Sequence, residues 1–140
     1  MNFWDSSALV TLLIHESSSD RMLSVYRERP DILVWWASEV ECVSALSRLE
    51  RESGDYAGPV EEGLGRLNTL KRSWNEVEPV LAVRETARRL LRAYPLRASD
   101  SLQLAAAVVS SDYHPSNIGF VCLDKRLVDA AKREGFDCIS

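Results

Sequence analysis

Short apolar runs alternate along the chain with longer stretches in which apolar residues return every three or four positions. That pattern predicts strands alternating with amphipathic helices. Residues 1–5 (Met-Asn-Phe-Trp-Asp) give a first strand, and 8–15 and 20–29 give helices. Pro30-Asp31 interrupts, and the β-branched and aromatic run 32–36 is a second strand. A helix over 39–52 stops at Ser53-Gly54-Asp55. Residues 60–71 continue as helix, although Gly63 and Gly65 lower the intrinsic preference. Residues 74–80 read as extended, with Pro79 at an edge. Helices follow over 84–94, stopped by Pro95, and over 99–110, then a loop over 113–117. The chain closes with a strand (119–124), a helix (126–133) stopped by Gly135, and a strand (136–139). Alternating βα units imply an α/β fold with a mostly parallel sheet and helices on both faces. Residues 1–140 suffice for one such domain.

Four acids lie inside apolar stretches where elements change over. Asp5 ends the first strand and Asp124 ends Phe120-Val121-Cys122-Leu123, so both belong to the crevice beyond the carboxyl ends of the strands. Glu41 and Asp100 stand near the starts of two helices. Each has a local explanation. Asp5 and Asp124 precede helices and suit N-caps. Asp100 with Gln103, and Ser38 with Glu41, have capping-box spacing. Singly, each is more often a cap than a catalyst; together, four separate coincidences are needed. On the third helix, periodicity places Glu39 with Cys42, Val43 and Leu46, and Glu41 with Ala45 and Arg48, and does not choose between the two.

Two carboxylates at about 5 Å repel by roughly 3 kcal/mol at an effective dielectric of about 20. Four gathered acids would therefore cost on the order of 10–20 kcal/mol if fully ionised without a cation. Either coupled protonation or a bound ion must relieve this. Oxygen donors without histidine or cysteine favour Mg²⁺ or Mn²⁺ over zinc. Such ions activate water and stabilise the leaving oxygen of a phosphodiester.

Charge changes this picture little. The net charge of −4 divides into five Lys/Arg against twelve Asp/Glu in residues 1–65, and twelve against nine in 66–140. Without the four proposed ligands the sum is zero, so an acidic total does not exclude a polyanionic substrate. The longest apolar stretches, 8–14 and 104–109, are far too short for a membrane span. No export-type segment opens the chain. Cys42, Cys122 and Cys138 lack metal or redox spacing and read as small hydrophobes in a reducing compartment; the cytoplasm is expected.

The segments Phe3-Trp-Asp-Ser-Ser-Ala-Leu9, Glu41-Cys-Val-Ser-Ala-Leu-Ser-Arg48, Arg97-Ala-Ser-Asp-Ser-Leu-Gln-Leu-Ala-Ala-Ala107 and Phe120-Val-Cys-Leu-Asp-Lys-Arg-Leu-Val-Asp-Ala-Ala131 together resemble a PIN domain. In order and spacing they resemble the VapC toxins of toxin–antitoxin pairs, over essentially the whole chain. The resemblance implies a three-layer fold with a central five-stranded sheet, and a Mg²⁺- or Mn²⁺-dependent endoribonuclease. It also implies a homodimer held by a cognate antitoxin. It carries the acidic quartet onto Asp5, Glu41, Asp100 and Asp124, selecting Glu41 over Glu39, and makes Ser7 a support for Asp5. Ser101 stands where alanine is usual, and the Trp35-Trp36 pair is not part of the pattern.

Arg84, Arg88, Arg89 and Arg92, with Arg97 just beyond them, suggest a phosphate-gripping face or, more simply, a solvated one. Lys125 and Arg126, directly after Asp124, are better placed for a substrate phosphate. Trp4, Trp35, Trp36 and Trp74 offer stacking surfaces or core, and Trp35 and Trp36 must alternate across a strand. His15 and His114 have no serine or cysteine partner for nucleophilic catalysis. The rival reading is a catalytically inactive PIN-like module that binds a partner protein; a receiver or phosphatase built on Asp5 is disfavoured by Ser6 and Ser7 following it.

Overall fold

In the computed structural model, which describes residues 1–140, strands β1 (Asn2–Trp4), β2 (Ile32–Trp35), β3 (Asn75–Val77), β4 (Gly119–Val121) and β5 (Asp137–Ile139) form one sheet. The order is β3-β2-β1-β4-β5 and every pairing is parallel. The chain starts in the middle, winds outward to β3, and returns to place β4 beside β1. That pair is the switch point, where crossovers leave in opposite directions and a crevice opens.

Seven helices flank the sheet: α1 (Ser6–Leu9), α2 (Ser19–Glu28), α3 (Ser38–Glu52), α4 (Ala57–Leu70), α5 (Leu81–Ala93), α6 (Ala98–Ser110) and α7 (Lys125–Glu134). Strand alternation sends successive side chains to opposite faces. Phe3, Trp35, Val77 and Phe120 join residues of α5, α6 and α7 in one core, where Phe3 and Phe120 stack at 5.6 Å. Trp4, Ile32, Val34 and Val121 join α1 to α4 in the other. A sheet covered on both faces explains why its strands read as continuous apolar runs.

The expected elements are present with shifted ends. The helix expected over 8–15 is one turn of α1 followed by a 3₁₀ turn over Val10–Leu12. Its β-branched residues resist regular helix, and the Thr11 hydroxyl donates to the Ala8 carbonyl (2.7 Å). Helix α4 forms despite its glycines. A Cβ on Gly63 would sit 3.0 Å from the Leu13 carbonyl oxygen, so the missing side chain is what lets α4 approach. Cys42 and Cys122 are buried as expected, whereas Cys138, on the edge strand β5, is only partly covered. Trp35 enters the core and Trp36 is 52% exposed.

Arg89 on α5 is structural. Its guanidinium reaches both carboxylate oxygens of Glu134 on α7, at 2.7 and 3.3 Å, and the Tyr94 hydroxyl donates to Glu134 at 2.6 Å. The Arg89 bond, chiefly, holds the Glu134 carboxyl below its usual range. Glu134→Gln is expected to lower stability by about 0.5–1 kcal/mol at neutral pH, since the pair is partly solvated. Because the folded pKa is depressed, this contribution is fully present above the ordinary carboxylate pKa and is lost as pH falls from there through the lower folded value. Urea unfolding of both chains at neutral and acidic pH checks the sign.

Candidate active site

Asp5 is the first residue beyond β1. Its N–H still donates to Val121 of β4 (3.0 Å), and its extended backbone (φ −72°, ψ 154°) then caps α1. The residue is 3% exposed. Its Oδ2 accepts from the Ser7 N–H (3.1 Å), the Ser7 hydroxyl (2.5 Å) and the Cys122 thiol (3.4 Å). Burial pushes its carboxyl above the ordinary range; the Ser7 and Cys122 bonds oppose the rise, and nearby Asp100 adds to it. The Ser7 hydroxyl oxygen also accepts from the Leu123 N–H (3.0 Å), tying the ends of β1 and β4 together. Ser7→Ala is therefore expected to cost about 1–3 kcal/mol, because it leaves the Leu123 N–H without that acceptor. Equilibrium unfolding in urea measures it.

Asp124 caps α7, its Oδ1 accepting from the N–H groups of Arg126 (3.0 Å) and Leu127 (3.2 Å). The caps expected at Asp5 and Asp124 are thus formed. The two capping boxes are not. Asp100 is the third residue of α6, behind the N-cap Arg97, and its ionic contact is Arg97 Nε at 3.6 Å. Glu41, in the first turn of α3, ignores its own backbone. It accepts from Gln103 Nε2 of α6 (2.8 Å) and from the Ser6 hydroxyl (3.4 Å). Gln103 is 1% exposed and its Nε2 also donates to the Ser38 hydroxyl (3.1 Å). Its Oε1 is buried without a partner, since turning the amide over would set that oxygen against the Glu41 carboxylate. A buried amide takes charged and hydroxyl partners from a neighbouring helix in preference to exposed local N–H groups. Desolvation lifts the Glu41 carboxyl to about 7, against the Gln103 bond.

Asp5, Glu41, Asp100 and Asp124, carried by four different segments, line one cleft of about 470 Å³. Glu39 does not: it pairs with Lys71 at 2.8 Å. Lys125 and Arg126 do not line it either, whereas Arg48 and Arg97 do. Arg48 and Gln103 were not marked by the sequence as site residues, although the alignment of Glu41 with Arg48 on one helical face pointed to the first; the sequence groups Arg97 with the α5 arginines, and the cleft takes Arg97 without them.

No three acidic, histidine or cysteine side chains are drawn together closely enough to form a finished coordination shell. The donor chemistry nevertheless fits a hard divalent cation. Every candidate atom is a carboxylate oxygen, and Asp5 makes its hydrogen bonds through Oδ2 alone and Asp124 through Oδ1 alone. Each thus keeps one oxygen for a ligand while the other is fixed. Glu41 reaches the same cleft held by Gln103 and Ser6, and Asp100 reaches it with only the long Arg97 contact.

No family model and no curated protein matches the sequence. Solved structures do. PAE2754 from Pyrobaculum aerophilum superposes with a TM-score of 0.67 at 20% identity, over 98% of this chain and 87% of that one. FitAcB from Neisseria gonorrhoeae gives 0.66 at 13% identity, over 100% and 97%. Identities this low speak to architecture alone. The chain has the PIN-like fold: a five-stranded parallel sheet between helical layers.

Proposed function

We propose that the chain is a divalent-metal-dependent endoribonuclease that hydrolyses RNA phosphodiester bonds, the toxin component of a toxin–antitoxin pair. The observation that carries this reading is the convergence of four carboxylates, from four segments spread over most of the sequence, on one cleft beside the β1–β4 switch point. The VapC-like segments supply the choice of RNA and the toxin role. Asp5, Glu41, Asp100 and Asp124 would hold Mg²⁺ or Mn²⁺, which supplies positive charge for the phosphate and acidifies water. Ser7 fixes Asp5, and the α7 backbone fixes Asp124. Without a cation Glu41 is lifted to about 7, and a bound cation would favour its ionised, ligating form.

Trp36, Val40, Val80 and Leu81 are exposed, and Val80 and Leu81 border a groove of about 370 Å³ with Trp35 and Leu102. Exposed apolar side chains of this kind suit a partner surface, in a homodimer or with an antitoxin. They also favour the second reading, an interaction module without catalysis. Incubation with total RNA in Mg²⁺, and in EDTA, followed by mapping of new RNA ends, separates the two. Discrete metal-dependent ends support the nuclease; intact RNA in both conditions supports the module. No helix is long and apolar enough to cross a membrane.

A further inference from the structure

Arg48 and Arg97 approach the carboxylate cleft from different helices. Arg48 lies on α3, two turns beyond Glu41 and on the same face, and Arg97 is the N-cap of α6, three residues before Asp100. Both are exposed. Arg48 enters no ion pair, and Arg97 meets Asp100 only through Nε at 3.6 Å, beyond hydrogen-bond distance. The forked terminal nitrogens of both side chains are uncommitted, in a cleft whose other charged lining groups are Asp5, Glu41, Asp100 and Asp124. An acidic cleft repels a polyanion unless cations stand at its rim, and a planar guanidinium matches phosphate oxygens two at a time.

We propose that Arg48 and Arg97 form a two-sided grip for the RNA backbone, each taking one phosphate on its own side of the carboxylates. This deepens the nuclease reading and rests on it for the identity of the substrate. The α5 arginines and Lys125-Arg126 lie outside the cleft. Arg97 has a second consequence. It is the cation nearest Asp100, so whatever else binds that carboxylate competes with it, and removing Arg97 clears the way.

The test uses the full chain, a fluorescein-labelled single-stranded oligouridylate, and anisotropy titrations at several salt concentrations in Ca²⁺, with the probe checked on a gel to be intact after each titration. Arg48→Gln and Arg97→Gln are each expected to weaken binding about tenfold and to reduce the slope of log affinity against log salt by about 0.7, the value for one phosphate on a single strand. Arg88→Gln, on exposed α5, is the control and is expected to change neither. Calorimetric Mn²⁺ affinity is expected to stay constant in Arg48→Gln and to rise a fewfold in Arg97→Gln. Unchanged salt slopes in both cleft variants overturn the grip, as does an equal loss in Arg88→Gln, or no binding by the wild-type chain. Binding with the expected slopes but no cleavage by the wild type would remove the nuclease reading and leave the grip standing.

Discussion

Asn at Asp5 or at Asp100 is expected to reduce Mg²⁺-dependent RNA cleavage by about a thousandfold or more, equivalent to roughly 4 kcal/mol of transition-state stabilisation. The fold should survive both changes. Asn still offers an oxygen to the Ser7 donors and is among the best N-cap residues, so Asp5→Asn keeps the α1 cap while losing the charge. Asp100 caps nothing; its ionic contact is an exposed arginine at 3.6 Å. The readout is cleavage rate per mole of folded protein, with circular dichroism as the fold control. Wild-type rates in both variants would refute the assignment of these residues. If Asp5→Asn instead melts far below the wild type without metal, the charge of Asp5 holds the fold through its bonds to Ser7 and Cys122, and its role is structural.

The second large effect is on the metal-free protein and runs against intuition: removing a charge should stabilise it. Glu41 is lifted from an ordinary 4.5 to about 7, chiefly by desolvation, and buried Asp5 is raised for the same reason. A carboxyl with a raised folded pKa makes its full contribution while both states are protonated. It loses that contribution as pH climbs from the unfolded pKa through the folded one. For Glu41 the window runs from about 4.5 to about 7. Above it, the wild type carries a penalty of about 1–2 kcal/mol after screening by solvent in the open cleft. Glu41→Gln removes the penalty and can still accept from Gln103. In EDTA at pH 8 it should melt about 3–6 °C higher than the wild type, with the advantage shrinking toward pH 4. A divalent cation should narrow the gap by stabilising the wild type more than the variant, which lacks one of the four carboxylates. A variant that melts lower at pH 8 would show that Glu41 holds the fold together through its bonds to Gln103 and Ser6.

The fold was legible because its signals are local and repeated. Alternating apolar runs and amphipathic stretches gave the βα order, and strand-ending Asp5 and Asp124 followed from it. Trp35 and Trp36 separated, one into the core and one to solvent, because β2 ends at Trp35 and Trp36 stands in the turn beyond it. The failures share a cause. Gln103 and Asp100 have the spacing of a capping box, yet Gln103 reaches to α3, because burial made Glu41 and Ser38 its best partners. Ser38 and Glu41 have the same spacing and fail for the same reason. Arg48 and Arg97 belong to one cleft only because α3 and α6 flank it, a relation between residues nearly fifty positions apart that no periodicity records. Local grammar placed the elements; the side chains that complete the cleft depend on which elements the sheet order brings together.

If these carboxylates share a cation, calorimetric titration of Mn²⁺ into the purified chain at pH 8 should reveal it. Saturable binding that weakens about tenfold or more in each of Asp5→Asn and Asp100→Asn, with both variants folded, is the expected result. Absence of binding by the wild type, or equal affinity in all three proteins, would contradict it.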